Sequence, residues 1–193
     1  MKKGFTLVEL LVVLAILGIL MAMMVPAAGV IMSRAHMARA RADASVAAAA
    51  LEKYFMEYNR WPSVYADAPA DTPLLTDKAW VDMMSPDPLA GGTPSKTDAN
   101  LKRIVFFSPG GGALAKEGIY KGAFVDPWGN PYLFKLDTSG TQAIANPDPQ
   151  PADGEPAEIQ TRVIVWSAGK NAPSPLRIET DEYEWNDNPK SWW

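Results

Sequence analysis

One carboxylate lies inside the most apolar part of the sequence. Glu9 follows Leu7 and Val8, and no charged residue occurs between Glu9 and Arg34. A charged side chain within a bilayer costs roughly 2.5–3.5 kcal/mol on insertion scales, so such a residue usually has both a partner and a function. We predict that the partner of Glu9 belongs to another copy of the chain or to a neighbour in an assembly.

The rest of the sequence offers little for catalysis. The chain has no cysteine, which excludes disulfides, thiolate metal sites and cysteine nucleophiles, and its single histidine, His36, argues against a histidine triad or a multi-histidine metal site. The glycine-rich segment PGGGAL lacks the lysine of a phosphate-binding loop, and no nucleophile–base spacing stands out. The net charge of −4 argues against nucleic acid as a partner. We therefore expect a protein that is not an enzyme.

A second group of residues with special backbone preferences predicts a tight turn before a strand. Gly129 permits a positive φ, and Pro127 and Pro131 restrict the backbone on either side of it. The members of this turn, in order, are Asp126, Pro127, Trp128, Gly129, Asn130, Pro131 and Tyr132.

The N-terminus contains a specific pattern. A basic leader is followed by Gly4, by FTLVE ending at Glu9 and by a long apolar run. This pattern resembles the class III signal of type IV pilins and of type II secretion pseudopilins. The resemblance implies that a membrane peptidase cuts between Gly4 and Phe5 and that Phe5 is then N-methylated. Pro26 stands where the family commonly has a helix-kinking proline, and the alternative is a plain single-span anchor that happens to contain Glu9.

The resemblance also suggests the partner of Glu9. Cleavage would create an ammonium group on Phe5, which in a filament can meet Glu9 of a subunit already docked. Pairing within one subunit is the alternative. Either pairing would neutralise a charge that lipid disfavours.

The turn at 125–132 closely resembles the Asp-Pro-Trp-Gly-Asn-Pro-Tyr signature of the major (G-type) pseudopilins of type II secretion. The segments EYNRWPS, WSAGKN and NDNPKSWW resemble the family's helix exit, later strand and tail. The resemblance thus covers residues 1–62, 125–137 and 162–193. Residues 63–124 and 138–161 match nothing in the family, and we interpret them as insertions.

In this family the C-terminal loop binds calcium, so the resemblance implies a calcium site here. Hard cations prefer several oxygen ligands, preferably charged ones. The matching positions are Asn171, Asp181, Asn186, Asp187 and Asn188, and Asn171 replaces an expected aspartate. The alternative is a solvated acidic loop held in place by tryptophans.

One long helix and a small sheet must position these residues. Apolar residues between 40 and 58 recur at three- and four-residue steps, which indicates an amphipathic helix packed on a sheet. The helix is expected to run from about Phe5 to about Tyr58, with its first half crossing a membrane. The predicted organisation is a cleaved leader (1–4), a transmembrane helix (5–33), an amphipathic periplasmic helix (34–60) and a small α+β globular domain (61–193).

Within the globular domain only short elements are expected, because it holds all but one of the prolines. Thr76–Met84 predicts a short helix, and Pro131–Asp137 and Thr161–Gly169 predict strands of an antiparallel sheet. The polar, turn-rich segment between these strands predicts a mobile hairpin excursion, and LKRIVFF favours either a strand or a helix end. The fold class is therefore α+β, with a long N-terminal helix on a small antiparallel sheet, as in pilins.

The resemblance implies a structural subunit of a periplasmic pseudopilus that polymerises through its N-terminal helix and drives protein export. The implied partners are other copies of the chain, minor pseudopilins, the prepilin peptidase, the inner-membrane assembly platform and membrane lipid. The implied location is the inner membrane, with the N-terminus cytoplasmic and the C-terminal domain periplasmic, and then the periplasmic filament. The alternatives are a type IV pilin for adhesion, motility or DNA uptake, and a membrane-anchored binding module.

Overall fold

The structure is a computed structural model of the 193-residue chain. It describes residues 6–66, 68, 72–86, 98–110, 113–148, 151, 153–172 and 189–192, without the side chains of residues 23–28. The chain divides into two compact units, Met1–Met37 and Ala38–Trp193.

The first unit contains the start of helix α1, Leu7–Tyr58, which confirms the predicted long helix. The described large apolar side chains from Leu7 to Met32 are between 45% (Leu17) and 79% (Leu7) exposed. Within the described residues, no helix offers a segment both long and apolar enough to cross a membrane. The predicted span over 5–33 therefore stays a prediction.

The second unit packs the later turns of α1 onto a three-stranded sheet. Alanines at 40, 44, 47 and 50 are fully or almost fully buried, together with Leu51 and Tyr54. These side chains belong to one apolar cluster with Phe134 and Val165 of the sheet. The predicted amphipathic stripe is therefore the main contact surface of this unit.

The main sheet is antiparallel. Its strands, in order across the sheet, are β1, Leu74–Leu75; β2, Leu133–Leu136; and β5, Val163–Trp166; β3 (Ile144–Ala145) and β4 (Glu158–Ile159) form a separate pair. The register pairs Leu133 with Trp166 and Leu136 with Val163. Two predicted strands are confirmed with shorter bounds, whereas β1 has only two residues and was not predicted.

Both faces of the sheet are buried, because β2 and β5 alternate between two apolar clusters. Phe134 and Val165 belong to the cluster that contains α1, and Leu133 and Ile164 belong to the other. A second antiparallel pair, β3 (Ile144–Ala145) with β4 (Glu158–Ile159), supplies Ile144 and Ile159 to that second cluster. The predicted hairpin is confirmed, but it is part of the core and not a mere excursion.

The segment 63–124, interpreted above as an insertion, also contributes to the core. It contains α2 (Ser63–Ala66), α3 (Lys78–Met84) and a 3₁₀ turn, Asp98–Asn100. Helix α3 confirms the predicted short helix, and Asp77 caps it by accepting a hydrogen bond from the Trp80 backbone N–H. The segment LKRIVFF is neither strand nor helix in the structure.

Candidate assembly site and signature turn

Glu9 lies in the first turn of α1, and its carboxylate is satisfied locally. Its Oε2 accepts hydrogen bonds from the Thr6 backbone N–H at 2.8 Å and from the Thr6 hydroxyl at 2.7 Å. The Glu9 backbone N–H donates to the Thr6 Oγ at 3.3 Å. This reciprocal arrangement is a capping box, in which Thr and Glu three residues apart satisfy two of the free N–H groups at a helix start.

Thr6 is thus a contact of Glu9 that the sequence analysis missed. The spacing T-x-x-E at the start of an apolar run is the signal that could have revealed it. Gly4 and Phe5 lie outside the described residues, as does the side chain of Pro26. Cleavage, methylation and the pairing of Glu9 with a new amine therefore stay predictions.

The predicted turn is present, and Asp126 organises it. The Asp126 backbone N–H donates to the Asn130 carbonyl at 2.8 Å, and the Gly129 N–H donates to the Asp126 carbonyl at 3.0 Å. The Asp126 Oδ1 accepts from the Trp128 N–H at 3.0 Å and from the Asn130 N–H at 2.9 Å. Gly129 has a φ of 92°, a value that residues other than glycine rarely adopt.

The same turn is joined to the chain that follows β5. The other carboxylate oxygen of Asp126 accepts from the Ser167 hydroxyl at 2.6 Å, and that hydroxyl in turn accepts from the Gly169 N–H at 2.9 Å. The Asn130 side-chain amide donates to the Gly169 carbonyl at 3.2 Å. The turn and the segment after β5 therefore form one buried polar network, and buried polar groups that are fully bonded rigidify a core.

Thr76 holds the opposite side of the turn. Its hydroxyl donates to the Phe124 carbonyl at 2.8 Å and accepts from the Tyr132 N–H at 2.9 Å. Its backbone N–H donates to the Tyr132 carbonyl at 2.9 Å. Thr76 was not singled out in the sequence, because it lies 56 residues from its partner.

Tyr132 connects the turn to helix α1. Its hydroxyl donates to the Asp43 carboxylate at 3.4 Å, and Asp43 is paired with Arg39 at 3.5 Å. Burial raises the pKa of Asp43 and, together with the nearby Asp43 charge, raises that of Tyr132. Burial also raises the pKa of Asp126, despite the hydrogen bonds from Ser167 and the turn that oppose it.

Residues 1–25 match the family described as the prokaryotic N-terminal methylation motif. A longer match extends through most of the chain. Over 136 residues the chain is 32% identical to the type II secretion system core protein G of Pseudomonas aeruginosa. This match covers 69% of this chain and 72% of that protein.

The chain belongs to the pseudopilin family. It is also 36% identical over 73 residues to the type IV major pilin protein PilE1 of Neisseria gonorrhoeae and 40% identical over 63 residues to a fimbrial protein of Neisseria meningitidis. These pilin matches cover 38% and 33% of the pseudopilin chain, and 44% and 37% of the two relatives. No solved structure gives a match of comparable strength.

The predicted calcium site falls mostly on residues that the structure does not describe. Asp181, Asn186, Asp187 and Asn188 lie outside the described residues, and Asn171 is exposed. Among the described residues of this pseudopilin, no group of three His, Cys, Asp or Glu side chains is arranged to hold a metal ion. Asn171 alone does not make a calcium site, and calcium binding stays a prediction.

The hydrogen-bond networks described above stabilise the structure of this pseudopilin. The turn network connects α1, β2 and the segment after β5, and the Glu9 capping box fixes the start of a helix with exposed apolar side chains. The pilins and pseudopilins that the chain resembles are structural subunits, so the family places the chain among structural subunits.

Proposed function

We propose that the mature chain is a structural subunit of a periplasmic pseudopilus, which polymerises through α1 and drives protein export by a type II secretion system. The observation that supports this most is the similarity to core protein G, because it spans more than two thirds of both proteins. The chain performs no bond-making chemistry in this proposal. A separate protein, which is an enzyme, carries out its cleavage and methylation.

The exposed apolar surface of the first unit supports polymerisation as the mode of action. In a membrane, and then in a filament, neighbouring helices replace lipid contacts with close packing. Glu9 is the one described charge in this surface before Arg34, and a cation on the neighbouring subunit would neutralise it. Here the cation is the Phe5 ammonium that cleavage after Gly4 creates.

The proposal includes a single membrane span with a cytoplasmic N-terminus and a periplasmic C-terminal domain. The partners are further copies of the chain, minor pseudopilins, the prepilin peptidase and the inner-membrane assembly platform. Similarity to type IV pilins favours a second candidate, a pilus subunit for adhesion, motility or DNA uptake. Cells lacking the chain would lose export of a secreted protein under the first proposal and surface fibres under the second.

Intact-mass measurement of the chain purified from cells tests the processing step. With an active prepilin peptidase, we expect the mass to fall by residues 1–4 and to rise by one methyl group. A Gly4→Glu variant, in which the cleavage position is blocked, is expected to keep the full mass. An intact Met1 in the wild-type chain, or a cut at any other bond, would contradict the proposal.

A further inference from the structure

A cavity of about 500 Å³ lies in the second unit, between the end of α1 and the loop that follows β2. We call it the arginine pocket. The lining residues used below are Phe55, Asn59, Arg60, Trp61, Gln142 and Arg162. Its volume falls within the range of pockets that bind small ligands or side chains of partners, roughly 300–1,000 Å³. Neither the signature turn nor the N-terminal site includes these residues.

The pocket has excess positive charge. Arg60 and Arg162 line it, and neither takes part in an ion pair found among the described residues. Among the described residues of the lining, Asp137 is the one carboxylate. Its oxygens accept hydrogen bonds from the backbone N–H groups of Gly140 at 2.8 Å and of Gln142 at 2.6 Å, and from other groups of the same loop. The carboxylate is thus occupied by the loop, and the two guanidinium groups are left for a ligand.

Aromatic rings form the base of the pocket. The rings of Phe55 and Trp61 lie 4.7 Å apart between centroids, and the Arg162 guanidinium lies 5.1 Å from the Phe55 centroid. The Trp61 indole N–H donates to the Asp137 carbonyl at 2.6 Å, which fixes the ring against the loop. A stacked guanidinium keeps its donors pointed outward in a planar fork that suits a carboxylate.

One backbone position beside the pocket has an unusual conformation. Gln142 has a φ of 58°, in the left-handed region that residues other than glycine rarely adopt. Asn59 has a φ of 49°, which is common for an asparagine that follows the end of a helix, here α1. A residue such as Gln142 persists only where the surrounding structure holds it, and such residues cluster at ligand-binding sites. The side-chain amides of both residues make no hydrogen bond to the described part of the chain, and they add donors and acceptors suited to a peptide backbone.

We propose that the arginine pocket binds an acidic peptide segment of a partner protein, with a carboxylate on the two arginines and a neighbouring aromatic side chain on the aromatic base. This goes beyond the proposed function, since it assigns a ligand to residues that neither the processing site nor the signature turn includes. The two arginines match the charge of an acidic segment, and a second copy of the chain is an outcome that the test below distinguishes.

Fluorescence anisotropy with a labelled peptide tests the proposal on the full chain in nonionic detergent micelles. The probe is the end-blocked peptide Gly-Asp-Phe-Glu-Gly, and the control peptide is Gly-Asn-Phe-Gln-Gly. We expect binding of the acidic peptide that weakens with salt. The double variant Arg60→Gln/Arg162→Gln is expected to weaken it roughly tenfold or more, because charged hydrogen bonds are lost.

Two further variants separate binding from folding. Arg41→Gln/Arg103→Gln makes the same change of charge on exposed residues outside the pocket and is expected to bind like the wild type. Ser63→Trp places a large ring at an exposed position of the rim without changing charge, and it is expected to block the peptide. Thermal unfolding of each variant confirms that the second unit is folded.

Equal binding of the neutral peptide, or unchanged binding by the Arg60/Arg162 variant, would overturn the proposal. Displacement of the peptide by millimolar inorganic phosphate alone would indicate a simple anion site. Self-association of the wild-type chain that is lost in the Arg60/Arg162 variant would indicate that the pocket binds a second copy of the chain. Either result overturns the assignment to a partner protein. Glu9→Leu is expected to bind the peptide normally while losing filament assembly, so this proposal and the proposed function fail independently.

Discussion

Asp126 shows how one buried carboxylate can hold a turn and a neighbouring strand together. Its two oxygens accept from the Trp128 and Asn130 N–H groups and from the Ser167 hydroxyl. Burial nevertheless raises the pKa of Asp126, which means that the charged form is less stable in the folded chain than in the unfolded chain. The residue thus fixes the geometry of the signature turn at a cost in stability that depends on pH.

The substitution Asp126→Asn tests this pH dependence. The folded state binds the proton more tightly than the unfolded state, so above the ordinary aspartate pKa of about 3.9 this residue lowers wild-type stability as pH rises. Asparagine keeps a side-chain oxygen for the two N–H groups and carries no charge. We expect the free energy of unfolding of Asp126→Asn, relative to wild type, to increase from pH 4 to pH 7.

Urea denaturation of the full chain in detergent micelles, at several pH values in this range, measures the difference. Thr138→Val, on an exposed residue, serves as a control that should show no such trend. A constant difference between wild type and Asp126→Asn, or a difference that falls as pH rises, would rule out the raised pKa.

The backbone of the turn could be predicted from its residues, but its contacts could not. Gly129 indicated a positive φ, and the structure has it. The bond from Ser167 to Asp126 joins residues 41 positions apart, and nothing in the local sequence specifies that distance. Thr6 is the opposite case, because its bonds to Glu9 follow from a local spacing.

Among the secondary-structure elements, the hairpin of β3 and β4 is held to the C-terminal segment by a buried cation. The Lys190 ammonium lies 2.8 Å from an Asp148 oxygen and 2.8 Å from a Glu155 oxygen, and all three residues are less than 9% exposed. The Trp192 indole N–H also donates to Glu155 at 2.8 Å. Burial alone would raise the pKa of Glu155, but the hydrogen bonds from Lys190 and Trp192 lower it overall.

The substitution Lys190→Met is expected to destabilise the second unit strongly. The substitution removes the ammonium group and leaves two buried carboxylates without a cationic partner. Loss of one partner from a buried ion pair costs about 3–5 kcal/mol. The triple variant Lys190→Met/Asp148→Asn/Glu155→Gln removes all three charges and should recover much of this loss. Urea denaturation measures both effects.

The matched comparison for this cluster is an exposed ion pair. Lys102→Met removes the partner of Glu57 at the surface and is expected to change stability far less than Lys190→Met, because solvent screens an exposed ion pair. If Lys190→Met were as mild as Lys102→Met, the hairpin and the C-terminal segment would not depend on the buried cluster.

The elements with strong periodicity were predictable, whereas their packing was not. Helix α1 and strands β2 and β5 follow from repeated apolar positions. Ile144 and Ile159 cover the second face of the sheet through strands of two residues each, which are too short to show any periodicity. The predicted strand or helix end at LKRIVFF is wrong. The Asn100 side-chain amide donates hydrogen bonds to the Met83 and Ile104 carbonyls, and these bonds hold the start of that segment in an irregular conformation.

At the level of the whole molecule, the two units have different surfaces. The first unit exposes its described large apolar side chains from Leu7 to Met32, whereas the second unit buries most of its large apolar residues in two clusters around a sheet. A large exposed apolar surface on a chain indicates contact with lipid or with other protein. Assembly through the first unit and a separate fold for the second are what the pseudopilin family leads us to expect.

Substitutions of Glu9 test the assembly mechanism most directly, because the Glu9 carboxylate has two roles. It caps the helix through Thr6, and in the proposal it pairs with a cation on a neighbouring subunit. Glu9→Gln separates the two roles, since glutamine also serves in a capping box but carries no charge. Thr6→Ala weakens the cap and keeps the charge.

The decisive measurement is the amount of filament formed by processed chains of wild type, Glu9→Gln, Glu9→Leu and Thr6→Ala, with membrane insertion measured in parallel. We predict that both Glu9 variants insert normally and lose filaments, and that Thr6→Ala still assembles. Filaments of wild-type abundance from either Glu9 variant would contradict the central claim that a charge on this helix is paired between subunits.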